Sequence, residues 1–327
     1  MLAALPRFLT QYKLAGTRSF RLSASQLFGY GGNAQNSDKE SIDIFEAPPG
    51  WKIVSADQAG AEALIVAYLA RPGKYRELFI HGIKPHIYTA LHLFVDKFRG
   101  EYPKERYWLK PPAELQQLPE WKALSNLIKN SKFEYDLGKK TNHAASYRMG
   151  PNTFRDSCLK ESEGALVLTF QEAAFFLGTY KALFPEIVEW QDEIEKTITA
   201  HRLLRNLFGF PRRFERLFSD GYTREAISWI PQSTVGCITH RAFREVGSRI
   251  VSERRVAALF NNKHDSLAVL VPDDSVEWAA RTLSGALDVE LTGRDGVKFR
   301  MKNEVQVGQN MKKASAENPR GLKDYKL

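Results

Sequence analysis

Residues 51–57 have the sequence Trp51-Lys52-Ile53-Val54-Ser55-Ala56-Asp57, and this stretch decides the fold. Residues 41–57 are predicted to form a strand, whose apolar run is this stretch, and the Pro-Pro-Gly at 48–50 predicts a turn ahead of that run. The period then changes to that of a helix, which the Arg-Pro-Gly at 71–73 ends. The residues at helical spacing are Ala61, Leu64, Ile65, Tyr68 and Leu69. A strand, a carboxylate and a helix therefore follow one another directly.

Asp57 stands at the point where this strand gives way to the helix. A carboxylate at the end of a buried strand is unfavourable unless a cation meets it, and a bound cation is the functional interpretation of this position. The alternative is a helix N-cap, a position in which Asp is common. The local sequence leaves both interpretations open.

A second carboxylate, Asp265, lies at the tip of a predicted hairpin. Residues 256–260 and 267–271 predict two short strands, and the polar hexamer 261–266 predicts the tip between them. Asp is also a common turn residue, so this position alone is not diagnostic. Both acids, however, are expected at strand ends of one sheet. Such a pair can hold two Mg²⁺ ions about 3.5–4 Å apart, as in-line phosphoryl transfer requires.

Two further patterns recur every four residues. Over 130–147 the stripe contains Tyr135, Lys139, His143 and Tyr147, which a helix would place on one face. A cation and flat rings on one face suit a nucleoside triphosphate, although an ordinary solvated face has the same pattern. The second pattern is Arg224, Ser228 and Gln232, whose side chains can bond a nucleic-acid backbone or groove edge. There Pro231 is expected to interrupt the helix.

The composition bounds the class of protein. The 327 residues are enough for two packed regions, and 47 basic against 38 acidic residues give a net charge of +9. This excess favours a polyanionic partner such as nucleic acid. Two cysteines, expected to be reduced thiols, exclude a disulfide framework and a four-cysteine zinc site. No run approaches the roughly 18 apolar residues of a membrane span, so no membrane partner is expected.

Taken in order, these segments resemble the family A DNA polymerases, which include bacterial DNA polymerase I and its phage and mitochondrial relatives. The segments of Asp57 and Asp265 resemble the two metal-binding motifs of that family, and Lys139 to Tyr147 resembles its fingers-helix motif. Arg224 to Gln232 resembles its primer- and template-contacting motif. The supporting similarities are Arg21-Leu22-Ser23 with Gln35-Asn36, His86, and Gly308-Gln309-Asn310-Met311. The resemblance covers roughly residues 16–311.

The resemblance implies a role for each of these residues. It implies two Mg²⁺ ions, with Mn²⁺ as a substitute, on Asp57 and Asp265, and catalysis by these two aspartates with Lys139. The implied nucleotide-binding residues are Glu62, His86, Lys139, His143 and Tyr147. The implied DNA-binding residues are Arg21, Gln35, Asn36, Arg224, Ser228, Gln232 and His264. The departures from the family pattern are Tyr135 for a triphosphate-binding Arg (with Lys132 or Lys140 as candidate replacements), His143 for an aromatic ring, Gly60 for Gln, Arg148 for Gly and Ser266 for Glu.

The resemblance also implies the architecture. We expect an α+β fold, with a polymerase palm of antiparallel sheet and helices, a mostly helical fingers region, and a thumb that is largely absent. The expected division is 1–15 as a thumb remnant or N-terminal extension, 16–70 as the first part of the palm, 71–224 as fingers, and 225–327 as the rest of the palm with a C-terminal tail. Within it, residues 74–200 are expected to be mostly helical, 99–120 a loop insertion, and 309–327 a loose tail.

The predicted function is template-directed DNA synthesis, in which deoxynucleotides are added to a primer 3′ end by two-metal phosphoryl transfer. Its partners would be a DNA primer-template, dNTPs and a second polypeptide that supplies a thumb, an exonuclease or both. The alternative is a non-catalytic primer-template-binding subunit, or a degenerate polymerase fragment that needs a partner chain. The expected location is the cytoplasm of a bacterial or phage-infected cell. An acid-poor start before Asp38 also fits, less well, an organellar transit peptide.

Overall fold

The structure is a computed structural model that describes residues 10–13, 16–37, 42–101, 107–215 and 219–327. Its strands are β1 Gln11–Lys13, β2 Ser23–Ser25, β3 Trp51–Gln58, β4 Leu203–Arg205, β5 Pro211–Arg213, β6 Ala258–Lys263, β7 Ser266–Pro272, β8 Glu290–Thr292, β9 Lys298–Arg300, β10 Asn303–Gly308 and β11 Lys323–Asp324. Its helices are α1 Ala61–Leu69, α2 Lys74–Ile80, α3 Pro85–Leu93, α4 Val95–Glu101, α5 Pro112–Gln117, α6 Trp121–Asn130, α7 Lys132–Ser146, α8 Pro151–Glu161, α9 Phe170–Leu183, α10 Pro185–His201, α11 Asp220–Ser252 and α12 Val276–Leu287.

A five-stranded antiparallel sheet, in the order β11-β10-β3-β7-β6, forms one half of the molecule. Helices α11 and α12 pack against one of its faces. Because side chains alternate along a strand, Val54 and Ala56 of β3 point into the core beneath these helices. Ile53 lies on the other face, in a small cluster with Ala268 and Leu322. Asp57 belongs to this second face, which α11 and α12 leave uncovered.

The second half is helical and has its own core, built mainly by α2 to α10 with contributions from α1 and from the N-terminal part of α11. Buried aromatic rings dominate it: Tyr75 and Tyr180 each contact Phe184 edge to face, with ring centroids 4.9 Å apart. Such rings bury large apolar areas, and each fully buried side chain contributes about 1.5–3 kcal/mol. An antiparallel sheet backed by helices, next to a mainly helical region, confirms the predicted α+β class.

Helix α1 joins the two halves, because one of its sides enters the core of the sheet and the other enters the helical core. It starts at Gly60, whose φ of +62° lies in the left-handed region that favours glycine. Because the backbone turns sharply here, α1 follows β3 immediately, and the helical half begins next to the end of that strand, where Asp57 lies. Among the described residues, no helix has the length and apolar content that a bilayer crossing requires.

Several predicted boundaries were wrong. The strand predicted over 41–57 is confined to Trp51–Gln58, and a short 3-10 helix occupies Ile42–Ile44. The loop predicted over 99–120 contains α5, and residues 102–106 lie outside the described part. Pro231 does not interrupt its helix, because α11 runs through it from Asp220 to Ser252.

The C-terminal tail is folded onto the sheet rather than loose. Strand β11 pairs with β10, and Leu322 is buried. The backbone N–H of Leu322 donates to the carbonyl of Lys312, and that of Gln309 donates to Arg320. The polar composition of 309–327 suggested solvation, but backbone pairing and one buried leucine are enough to hold the segment. Of the predicted 1–15 segment, residues 1–9 and 14–15 lie outside the described residues.

Candidate active site

Asp57 and Asp265 come together at one end of the sheet. Strands β6 and β7 are joined by the two residues His264 and Asp265, so the tip is tighter than the predicted hexamer. The backbone N–H of Gln58, next to Asp57, donates to the carbonyl of Asp265 over 3.1 Å. The two aspartates, which lie far apart in sequence, are therefore brought together by one backbone hydrogen bond between β3 and the turn.

Helix α11 holds this turn in place through Thr239. The Thr239 hydroxyl lies 3.0 Å from the carbonyl oxygen of His264, to which it donates. The side-chain amide of Gln58 donates to the same hydroxyl over 3.1 Å. His264 has a positive φ of 56°, a backbone conformation that a two-residue hairpin turn requires. The position of Asp265 is thus fixed by contacts from the strand and from the helix.

The two carboxylates have perturbed pKa values. The pKa of Asp57 is raised to about 7. The first cause is partial loss of hydrating water to the surrounding protein, although solvent still reaches the side chain. The second cause is repulsion of the Asp57 charge by Asp265 and Glu304. Lys313 and Lys139 act in the opposite direction. The pKa of Asp265 is raised as well, chiefly by burial. Two neighbouring carboxylates whose charged forms are disfavoured in this way form a place where a cation is stabilised.

Strand register adds two neighbours to Asp57. Glu304 of β10 lies directly opposite it on one side, and Ser266 of β7 on the other. Directly opposed residues share a face of the sheet, so Glu304, Asp57 and Ser266 form a row on the uncovered face. Within the described ranges, no three Asp, Glu, His or Cys side chains are grouped closely enough to hold one ion. The two aspartates nevertheless offer the hard oxygen ligands that Mg²⁺ prefers.

Glu62, on the first turn of α1, is clamped between two partners. The Arg21 guanidinium forms an ion pair with one carboxylate oxygen, and the Tyr147 hydroxyl donates to the other. Burial and the adjacent Glu62 charge raise the pKa of Tyr147. Tyr147 lies just after the end of α7 and is buried. The structure thus connects three predicted site residues to one another, and it orients Glu62 beside the turn of Asp265.

Helix α7 carries the predicted stripe. Tyr135, Lys139 and His143 lie on it, and the His143 ring meets Tyr147 edge to face with centroids 5.1 Å apart. Across from the stripe, His86 lies near the start of α3, and its Nε2 is 3.1 Å from the Tyr135 hydroxyl. Burial, together with the charges of Lys84, Lys139 and Lys129, lowers the pKa of His86 to about 4. His86 is therefore a neutral imidazole at physiological pH.

Gly138 sets how closely α7 approaches α3. A Cβ at this position would lie 2.6 Å from the carbonyl oxygen of His86 and 2.7 Å from the Cβ of Ala90. Only a residue without a side chain allows this contact. The close approach brings Tyr135 within reach of His86.

The predicted DNA-binding residues are in different situations. Arg224, Ser228 and Gln232 all lie on the continuous helix α11 and are half-buried, so they share one stripe. Gln35 is buried, and its amide donates to the carbonyl of Asn262 over 2.8 Å. The side chain of Asn36 lies outside the described part. Gln35 thus supports strand β6 instead of presenting a free amide.

Sequence reasoning missed Glu304, Lys313, Lys84 and Lys129. Alternation along β10 would place Glu304 on one of two faces, but the sequence does not reveal the register with β3. Lys313 was assigned to a loose tail, and it approaches Asp57 because that tail folds back. Lys84 is the residue before α3, and Lys129 lies in the last turn of α6, with no local motif to single them out.

Three known DNA polymerases are similar in sequence to this chain. DNA polymerase I of Geobacillus stearothermophilus is 22% identical over 256 residues, which cover 76% of this chain and 25% of that protein. DNA polymerase I of Chloroflexus aurantiacus is 26% identical over 295 residues, which cover 85% and 26%. The DNA polymerase of Escherichia phage T5 is 22% identical over 246 residues, which cover 71% and 27%. No protein-family model matches the chain.

A solved structure has the same fold. It is the polymerase domain of Pol1 from M. smegmatis, in complex with DNA primer-template and dNTP, with a TM-score of 0.67 and 16% identity. The match covers 92% of this chain and 47% of that one. These similarities confirm the resemblance to family A DNA polymerases and the palm-and-fingers fold. The chain spans about a quarter of the length of the three polymerases it matches.

Proposed function

We propose that this chain is a DNA-directed DNA polymerase that adds deoxynucleotides to the 3′ end of a primer. The observation that carries the proposal is the meeting of Asp57 and Asp265 at one end of the sheet, with Lys139 close enough to lower the pKa of Asp57. The similarity to bacterial and phage DNA polymerases supports it. We also propose the division into palm at 16–70 and 225–327 and fingers at 71–224.

Asp57 and Asp265 would hold the two Mg²⁺ ions, with Mn²⁺ as a substitute. Their oxygen donors and raised pKa values fit a divalent cation, which would relieve their mutual repulsion. When bound, Mg²⁺ activates the primer 3′-hydroxyl and stabilises the charge on departing pyrophosphate. The protein's own contribution is to keep the two carboxylates together through the hydrogen bond between Gln58 and Asp265.

The remaining residues position the nucleotide and the primer. Lys139 neutralises the triphosphate and donates a proton to the leaving pyrophosphate; this role is supported by its exposure and by its effect on the pKa of Asp57. Glu62, held by Arg21 and Tyr147, lies against the sugar and excludes a 2′-hydroxyl. His143 lies beneath the incoming base. His264, with the α11 stripe of Arg224, Ser228 and Gln232, contacts the primer end and the minor groove.

The second candidate is a non-catalytic primer-template-binding subunit. The observation in its favour is that Tyr135 and His143 replace an Arg and an aromatic ring of the resembled family, which removes one charge from the triphosphate side. The two candidates differ in one measurable respect. Only the polymerase needs Mg²⁺-dependent binding of a dNTP, whereas both bind a duplex through the net charge of +9.

The test is extension of a labelled primer on a DNA template with dNTPs and Mg²⁺ at low salt. Asp57→Asn and Asp265→Asn should each reduce extension by at least about 10²-fold, as expected when a group that stabilises transition-state charge is lost. Asp274→Asn is the matched control, because Asp274 is exposed at the other end of β7 and should have no effect. Unchanged circular dichroism and duplex binding would show that the variants are folded.

Absence of extension by the unmodified chain, with duplex binding intact, would favour the binding subunit. The predicted second polypeptide also remains a proposal. Native mass spectrometry tests it, because tight primer-template binding by a monomer of the purified chain would contradict it. Location in the cytoplasm of a bacterial or phage-infected cell is likewise proposed from the sources of the relatives.

A further inference from the structure

The fingers side of the site contains an uncharged hydrogen-bonding pair. His86 and Tyr135 meet edge to face, with ring centroids 5.0 Å apart and 3.1 Å between Nε2 and the hydroxyl. The low pKa of His86 keeps the imidazole neutral, and the phenol of Tyr135 is neutral too because burial raises its pKa. The pair can donate hydrogen bonds but carries no charge. A polyanion bound here would need its cations from elsewhere.

Three lysines surround this pair. Lys84 precedes the first turn of α3, two residues before His86; Lys129 lies in the last turn of α6; and Lys139 follows Tyr135 by one turn of α7. All three are close enough to His86 for their charges to lower its pKa. Because α6 and α7 both pack against α3, three separate segments bring these lysines toward His86. Three like charges from separate helices indicate a site that an anion would complete.

Among the described residues, none of these three lysines forms an ion pair within 4 Å of an acid, although Lys139 is close enough to Asp57 to lower the pKa of that carboxyl. Neighbouring lysines do: Lys97 pairs with Glu134, and Lys140 pairs with Glu161 over 2.5 Å. The pair with Glu161 engages Lys140, and Lys132, the other candidate for replacing the arginine that Tyr135 displaces, is not among the charges that lower the pKa of His86. The unpaired charges are instead located at Lys84 and Lys129.

We propose that Lys84 and Lys129, together with Lys139, bind the triphosphate of the incoming nucleotide around the His86–Tyr135 pair. This inference rests on the proposed function and deepens it. Lysine ammonium groups act as mobile point charges, so three of them can neutralise most of a triphosphate without the fixed fork of an arginine. Because these groups contact phosphates and not the base, all four dNTPs should depend on them equally.

Binding of inorganic tripolyphosphate, measured by titration calorimetry at low salt without DNA, tests the proposal directly. Lys84→Met and Lys129→Met should each weaken this binding about three- to tenfold, and the double variant more. Lys129→Arg should retain most of it. Lys122→Met is the matched control, because Lys122 lies on the same exposed side of α6 two turns away, about 10 Å along the axis.

The steady-state expectation is a higher KM for every dNTP with little change in kcat. Tripolyphosphate affinity equal to that of the unmodified chain in the double variant would overturn the proposal, as would no detectable binding by the unmodified chain. A loss of primer-template affinity alone would assign the lysines to the DNA backbone and also overturn it. Failure of primer extension with the tripolyphosphate result intact would refute the polymerase activity and leave the anion site standing.

Discussion

Replacing Gly138 by alanine tests how the fold builds the site. The new Cβ would lie 2.6 Å from the His86 carbonyl oxygen and 2.7 Å from the Ala90 Cβ. Real Cβ atoms do not approach other atoms this closely. The two atoms in the way, a backbone oxygen and a Cβ of α3, cannot rotate aside as the end of a long side chain could. Helices α7 and α3 would therefore have to move apart.

The magnitude follows from two opposing effects. Overpacking of a tight contact reduces the free energy of unfolding by about 1–3 kcal/mol. Alanine in place of glycine inside a helix increases it by about 1 kcal/mol. The net expectation is a loss of up to about 2 kcal/mol. Gly178→Ala is the matched control, since Gly178 lies inside α9 with nothing within 4 Å of its new Cβ. In that control the free energy of unfolding should increase by about 0.5–1 kcal/mol.

Urea unfolding of the two variants and the unmodified chain measures these free energies. The two substitutions are chemically identical and both lie inside helices. A decrease in the free energy of unfolding for one and an increase for the other would therefore be due to the contact between α7 and α3. Primer extension by Gly138→Ala should also show a raised KM for dNTPs, because His86 and Tyr135 move apart. Equal stabilisation by both substitutions would refute the reasoning, since it would mean that the two helices are not in contact at Gly138.

Three further predictions concern stability, pH and thiol reactivity. Arg76→Met should reduce the free energy of unfolding by about 2–3 kcal/mol in urea melts, because buried Arg76 donates to the carbonyls of Ala67 and Ala70 and pairs with Asp295. Arg281→Met, which breaks an exposed helical ion pair, should change it by less than about 0.5 kcal/mol. Because the pKa of His86 falls from 6.5 to about 4, the unfolded chain binds the proton more tightly, and stability is lost as pH falls through this window. His86→Asn should lose less stability between pH 6.5 and 4 in thermal melts, and an identical pH dependence would contradict this assignment. Cys158 and Cys237 are buried with raised pKa values, so a thiol reagent at neutral pH should label them only after denaturant is added, and rapid labelling of the native chain would contradict their burial.

Local patterns were sufficient for much of the fold. The spacing of apolar residues predicted β3, α1 and the hairpin of β6 and β7, because helix and strand periods are properties of neighbouring residues. The same spacing predicted the stripe on α7. Local patterns failed where contacts with distant parts of the chain decided the structure. Examples are the tail that carries β11 and the unbroken helix through Pro231.

The sequence by itself singled out the two aspartates and the lysine on α7 as candidates, because each stands in a local pattern, and the glutamate on α1 followed only from the resemblance. Only the tertiary structure decided what surrounds them. Strand register placed Glu304 opposite Asp57, and the packing of α6 and α7 on α3 gathered Lys84 and Lys129 around His86. The physical reason is that register and helix approach depend on contacts between residues remote in sequence, such as Gly138 against His86, which no local periodicity encodes.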